Sequence, residues 1–357
     1  MKRWMLYAAL VLCLLLSGGC TGGEEGAVEE ADEQTDRLQI GMSFDSFVIE
    51  RWQRDRDIFV STAKEMGAEV NVQNASGNLE EQVAQIEYFI DKEMDVIVII
   101  CIDSDSLADV VRKAKSEGIK VIAYDRLIKN SDVDLYISFD NEAVGEMMAQ
   151  GIVNSGQDVK SVLMLGGPLA DNNVSMVEKG FRRVMQEHQI EVLDAIHADG
   201  WKAELGSEYI YSHADVVSRA DAIMCGNDDI ATAVVRALSE RRLAGKIGVV
   251  GQDADLAACQ RIVQGTQIMT VYKPVEKLAQ KAAECAIALG EGRDVETDSV
   301  IYDGSGLVPY VALEPISVYK DNMDDVIINS GFHLKEDVYL NMPELRMEKS
   351  ETEAVED

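Results

Sequence analysis

Between Leu38 and His333 the chain alternates short runs rich in Val, Ile and Leu with longer stretches of mixed polar and apolar residues. The short runs predict strands at Leu38–Met42, Glu69–Val72, Val96–Ile102, Lys120–Tyr124, Leu135–Phe139, Ser161–Leu165, Glu191–Ala198, Ala222–Cys225, Ile247–Val250 and Met269–Val271. Many are nearly continuously apolar rather than alternating, which is how a strand covered on both faces reads. The longer stretches predict helices at Arg51–Met66, Asn78–Asp91, Ser106–Glu117, Asn141–Asn154, Ala203–Val217, Asp229–Glu240 and Pro274–Leu289. Gly67 is a suitable stop for the first and Asn78 a suitable N-cap for the second. Strand and helix in this rhythm build parallel sheets with helices on both faces. There are too many strands for one modest sheet, and the rhythm restarts near Lys160. The expectation is two doubly wound α/β lobes, and a length of 357 residues suits that division.

In an open parallel sheet a ligand sits outside the carboxyl ends of the strands. The residues at those ends are Asp45 with Arg51 and Trp52, then Asp103, then Asp125 and Arg126. In the second half they are Gly166-Gly167-Pro168 with Asp171, Asn172 and Asn173, then Trp201, Asn227, Gln252 with Asp253, and Lys273. Planar carboxylate, amide and guanidinium groups satisfy hydroxyls that both donate and accept. Indole rings cover the flat C–H faces of a sugar ring. Singly, each residue has a plainer reading: a Trp in the core, a local Asp125–Arg126 ion pair, Asp253 as a helix cap. Together they point to a polar ligand of carbohydrate type.

Charge and the chain ends narrow the class. Against 33 basic residues stand 64 acidic ones, a net charge of -31 that disfavours nucleic acid. Lys2 and Arg3, the apolar run Leu6–Leu16, small residues Ser17, Gly18 and Gly19, and then Cys20 predict a lipoprotein leader with Cys20 lipidated. A Gly-rich acidic tether follows to Arg37, and a second acidic stretch closes the chain. Cys101, Cys225, Cys259 and Cys285 lack metal-ligand spacing and read as buried thiols, with a disulfide left open. No Gly-x-Gly-x-x-Gly, Gly-Lys-Ser/Thr, Gly-x-Ser-x-Gly or His-Glu-x-x-His motif is present. His188, His197, His213 and His333 are scattered. No enzyme, cofactor or metal is expected, and Asp321–Asp325 is too sparse for a calcium loop.

Several stretches carry a resemblance: Glu50-Arg51-Trp52-Gln53-Arg54-Asp55-Arg56-Asp57, Ala123-Tyr124-Asp125-Arg126, Tyr136-Ile137-Ser138-Phe139-Asp140-Asn141, Asp171-Asn172-Asn173, Gly251-Gln252-Asp253-Ala254-Asp255-Leu256 and Met269-Thr270-Val271-Tyr272-Lys273-Pro274. With these the chain resembles the type I periplasmic sugar-binding proteins of ABC importers, the ribose-binding-like group, and within it the xylose-binding members. The resemblance implies three hinge crossings, near Phe139–Asn141, Lys273–Val275 and Val308–Pro315. It divides the chain into residues 38–139 with 275–308 as a first lobe and 140–273 with 310–335 as a second. Residues 1–19 would be the leader, 20–37 the tether and 336–357 an acidic tail. It implies sugar contacts from Arg51, Trp52, Asp125, Arg126, Asn172, Trp201, Asn227, Asp253 and Lys273, with Asn141, Asp171 and Asn173 as weaker carry-overs. The implied ligand is D-xylose, with glucose, arabinose or ribose as alternatives. A packed pocket is expected to exclude the hydroxymethyl group of a hexose. The implied partners are ABC permease subunits, or a sensor kinase or chemoreceptor reading the closed form. Truncating Trp52 or Asp253 is expected to abolish binding and spare the fold.

Overall fold

Strands buried on both faces set the architecture of the computed structural model, which describes residues 37–347 apart from Glu50 and Asp298. The leader with Cys20, the tether before Arg37 and residues 348–357 lie outside the described residues. In chain order the elements are β1 (Gln39–Phe44), α1 (Arg51–Glu65), β2 (Glu69–Asn74), α2 (Leu79–Asp91), β3 (Val96–Ile99), α3 (Ala108–Ser116), β4 (Lys120–Tyr124), β5 (Leu135–Phe139), α4 (Asn141–Val153), β6 (Ser161–Gly166), α5 (Asn172–Glu187), β7 (Glu191–His197), α6 (Glu204–Ser212), α7 (Ala214–Val217) and β8 (Ala222–Cys225). There follow α8 (Asp228–Glu240), β9 (Gly248–Gln252), α9 (Leu256–Gln264), β10 (Met269–Tyr272), α10 (Val275–Gly290), β11 (Ser299–Tyr302), β12 (Leu307–Leu313), β13 (Ile316–Val318), α11 (Lys335–Val338) and α12 (Pro343–Met347).

Two sheets form. The first runs β11-β12-β5-β4-β3-β1-β2 and the second β13-β10-β9-β8-β6-β7. Setting aside β11, β12 and β13, each sheet has its second strand outermost and its first strand next, then the third, fourth and fifth in turn. The restart near Lys160 is thus a repeat of doubly wound topology. Every residue of β3, β5, β6 and β8 is buried, which explains their unbroken apolar runs. Helix α10 returns to pack on α1 of the first lobe. Asn78 caps α2 by accepting from the Glu81 amide at 3.0 Å, as its side chain allows.

The chain passes between sheets at 139–141, at 272–275 and at 313–316. The last passage falls at the end of the expected Val308–Pro315 span, and the boundary between lobes lies later than the expected residue 310. β12 pairs with β5 from Tyr310↔Tyr136 to Leu313↔Phe139, so residues 310–313, expected in the second lobe, belong to the first sheet. The C-terminal stretch also departs from a solvated tail. Val338 and Tyr339 are buried in a cluster with Ile327, Phe332 and Tyr272, and Tyr339 Oη donates to Asp324 Oδ1 at 2.8 Å. Four helices escaped the pattern reading, α5, α9, α11 and α12, as did strands β11, β12 and β13. Cys101, Cys225, Cys259 and Cys285 are buried free thiols.

Candidate functional site

The carboxyl ends of both sheets face one cavity, whose empty space is ≈ 480 Å³ with open solvent at its mouth included. The first lobe contributes Ile49 just before α1, Arg51 and Trp52 from its start, and Asp125 and Arg126 just after β4. The second contributes Asp171 and Asn173 at the start of α5, Trp201, and Gln252 and Asp253 at the end of β9. Lys273, at the middle passage between sheets, completes the polar ring. The chain reaches these positions through unusual backbone. Asp125 (φ 62°), Trp201 (φ 59°), Asp253 (φ 92°) and Ala254 (φ 56°) all occupy the left-handed region, a cost that the surrounding hydrogen bonds sustain. Gly167 makes room for Trp201: a Cβ there would run into the indole.

The first-lobe wall carries a charge network. Arg51 bonds Asp55 through Nη2 (3.1 Å) and Nε (3.3 Å), and Asp125 Oδ2 through Nη2 (2.9 Å). Tyr124 Oη donates to Asp55 at 2.5 Å. Arg126 donates to Asp45 Oδ2 at 2.8 Å and to the Cys101 carbonyl at 2.9 Å. The Arg51 and Arg126 guanidinium carbons lie 4.5 and 5.6 Å from the Trp52 ring centroid. Burial alone would push the Asp125 carboxyl up, but Arg51, Lys273 and Arg126 outweigh it and hold it below its usual range. Burial likewise opposes the charge on Arg51, and Asp125, Asp55 and Asp253 reverse that, so Arg51 stays charged.

The lobes touch across the cleft. Ser104 N donates to the Ala170 carbonyl at 2.9 Å, and Asn172 N donates to Ser104 Oγ at 3.0 Å. Asn173 Nδ2 donates to the carbonyl (2.9 Å) and Oδ1 (3.1 Å) of Asp125. Arg126 Nε lies 2.8 Å from Asp171 Oδ2, and Arg51 Nη1 lies 3.9 Å from Asp253 Oδ1. Lys273 Nζ is 3.5 Å from Asp253 Oδ1.

Six buried side-chain atoms make no aligned hydrogen bond among the described residues: Trp52 Nε1, Trp201 Nε1, Arg126 Nη2, Gln252 Oε1, Asp253 Oδ1, and Arg126 Nε, whose 2.8 Å approach to Asp171 Oδ2 is an ion pair out of hydrogen-bond alignment. All six belong to residues that line this cavity. Buried polar groups are ordinarily satisfied, so such a concentration marks where a ligand's own donors and acceptors fit. Donors and acceptors are both represented, which suits hydroxyl groups.

Of the residues expected from sequence, Arg51, Trp52, Asp125, Arg126, Trp201, Asp253 and Lys273 line the cavity, as do Asp171 and Asn173. Three are placed otherwise. Asn172 turns its Nδ2 toward Met176 Sδ at 3.5 Å, and its neighbour Asn173 takes the wall. Asn227 caps α8 by accepting from the Ile230 amide at 2.9 Å, leaving Gly226 on the cavity. Asn141 Nδ2 bonds Ser138 Oγ and the Phe139 carbonyl, both at 3.2 Å, at the first passage between sheets. Asp171 both lines the cavity and caps α5 through the Asn173 amide at 2.9 Å. Among the polar cavity residues, Gln252 was absent from the implied sugar contacts and Glu178 from every expectation. The strand-end rule pointed to Gln252, whereas Glu178 lies inside α5, which had not been predicted.

Comparison with known proteins follows the same lines. A family model described as a periplasmic binding protein domain matches residues 40–294. A D-xylose-binding periplasmic protein from Haemophilus influenzae is 46% identical over 308 residues, covering 85% of this chain and 92% of that one. A protein of the same name from Escherichia coli is 44% identical over 301 residues, covering 83% and 91%. Among solved structures, an ABC transporter solute binding protein from Clostridium phytofermentans with bound β-D-glucose matches with a TM-score of 0.75 at 28% identity, covering 84% of this chain and 99% of that one.

Proposed function

This chain belongs to the periplasmic binding protein family, and from that premise we propose that it binds one monosaccharide, D-xylose, between its lobes and presents it to ABC permease subunits. The observation that carries the reading is the cluster of unpartnered donors and acceptors on two indoles, a guanidinium, an amide and a carboxylate around one interlobe cavity. The two relatives named for D-xylose, at 46% and 44% identity, support the choice of sugar. Asp125 is held ionised by Arg51, Lys273 and Arg126, which suits a hydrogen-bond acceptor and not a proton donor.

The lobes work as two jaws about the three passages between sheets. Each carries part of the hydrogen-bonding set, so only the closed arrangement satisfies the whole sugar, and closure is the state a permease reads. Direct lobe contacts at Ser104, Asp125 and Arg126 add to the ligand's bridging. Exclusion of water strengthens each charged hydrogen bond to a hydroxyl.

Calorimetry of the purified chain with D-xylose, D-ribose, L-arabinose and D-glucose tests the reading; D-xylose is expected to bind with a stoichiometry of about one. The reading also places the chain on the extracytoplasmic face of the membrane, tethered through Cys20. Metabolic labelling with radioactive palmitate is expected to mark the chain, and Cys20→Ser to abolish the label and release the protein from the membrane fraction. A Cys20→Ser chain that stays membrane-bound would refute the tether.

A further inference from the structure

Helix α5 presents Asn173, Val174, Val177 and Glu178 to the cavity, residues that share one helical face. Glu178 follows Asn173 by five residues, about 7.5 Å along the helix axis. The cavity lining therefore takes in, beyond the polar ring, Gly166, Val177, Met224 and a further carboxylate, Glu178.

That carboxylate is braced from behind. Its Oε1 lies 2.7 Å from His197 Nε2, and its Oε2 lies 3.9 Å from Arg182 Nε. His197 ends β7 directly beside Gly166, with which it pairs in the sheet. A Cβ at Gly166 would come within 3.0 Å of Glu178 Oε1 and 3.5 Å of His197 Cδ2, so glycine keeps the approach to the carboxylate open. An ionised carboxylate offers about four acceptor positions, and the imidazole takes one. Acceptor capacity remains, on a stretch of cavity wall that Glu178 shares with the apolar Val177 and Met224.

We propose that Glu178, braced by His197, is a specificity-determining residue that accepts a hydrogen bond from a hydroxyl carried outside the sugar ring. The site then takes a hexopyranose of the D-glucose type as well as the pentose. This deepens the sugar-binding reading and rests on it, and it departs from the expectation that the pocket excludes a hydroxymethyl group. As pyranoses, D-xylose and D-glucose differ only in that group, so the pair isolates the contact.

The test is calorimetry of the full chain with both sugars, on the wild type and on Glu178→Leu, Glu178→Gln and Gly166→Ala, with thermal unfolding to verify each fold. Wild type is expected to bind both sugars. Glu178→Leu is expected to lower the glucose-to-xylose affinity ratio by about tenfold or more, the worth of a hydrogen bond to a charged group. Glu178→Gln, which keeps the shape and an acceptor, should recover part of that ratio. Gly166→Ala should lower it as Glu178→Leu does. Wild type that binds xylose but not glucose, or a Glu178→Leu ratio equal to wild type, would overturn the proposal and leave the sugar-binding reading standing. Wild type that binds neither sugar would remove both.

Discussion

On the first-lobe side of the cavity, Arg51 is tied to Asp55 and Asp125, Asp55 to Tyr124, and Arg126 to Asp45, all at 3.3 Å or less. On the second-lobe side, Asp253 Oδ1 has only charge contacts, at 3.5 Å to Lys273 and 3.9 Å to Arg51, and Trp201 Nε1 and Gln252 Oε1 are unpartnered among the described residues. The first wall carries an ionic network that also belongs to the core of its lobe, and it leaves Trp52 Nε1 and Arg126 Nη2 open toward the cavity. The other is a set of groups whose partners come from across the cleft. The difference teaches that the first lobe is a preformed cradle and the second supplies the contacts that reward closing.

The sharpest way to break this comparison is at Arg51. Its removal leaves Asp55 and Asp125 buried without their cation, at a cost of about 3–5 kcal/mol in stability. Arg51→Ala should therefore lose both xylose binding and thermal stability, read by calorimetry and by scanning calorimetry. Trp52→Ala should behave similarly. Trp52 is 1% exposed and meets Phe44 edge-on with ring centroids 6.4 Å apart. Truncating it costs about 3–5 kcal/mol, contrary to the expectation from sequence that the fold would be spared. On the other wall, Asp253→Ala and Trp201→Ala should weaken xylose binding by about two orders of magnitude, and Asp253→Ala should leave thermal stability close to wild type. Equal losses of stability in Arg51→Ala and Asp253→Ala would erase the contrast between the walls.

Smaller effects refine it. Ser104 Oγ accepts from the Asn172 amide across the cleft. Ser104→Ala should weaken xylose binding by about two- to tenfold, mostly through faster release, measurable by stopped-flow fluorescence. The second lobe also holds a buried carboxylate behind the site. Asp228 accepts from Thr270 Oγ1 at 2.6 Å and from Gln267 Nε2 at 2.8 Å, and burial pushes its carboxyl up to about 7. An unfolded Asp ionises near 3.9. The folded state thus binds more protons between those values, and this group's contribution to stability falls as pH rises from about 4 to about 7 and is level above that. Asp228→Asn should flatten that part of the stability–pH curve measured by chemical denaturation; an unchanged slope would refute the assignment.

Much of the fold was legible because both sheets bury their central strands. The run Val96–Ile99 is buried throughout and reads as a strand from composition alone. The missed strands lack that signal. β11 and the start of β12 expose Val300, Tyr302 and Leu307, and β12 contains Pro309, so neither run looks like a covered strand. At the site, the strand-end rule located the charged ring because strands end where their apolar runs end. It could not distinguish Asn172 from Asn173, a choice set by the helical face once Asp171 caps α5. Nor could it distinguish a side chain that caps, as Asn227 does, from one that lines a cavity. Glu178 was invisible for the same reason: its position follows from the helical phase fixed at Asn173.

The most direct test of the two-jaw sugar site is a titration of the purified chain with D-xylose, followed by both heat of binding and thermal midpoint. The account predicts one saturable site and stabilisation of about 2.7 kcal/mol when the sugar stands at a hundred times its Kd. Absence of heat and of any midpoint shift, with D-xylose and with every other common monosaccharide, would contradict it.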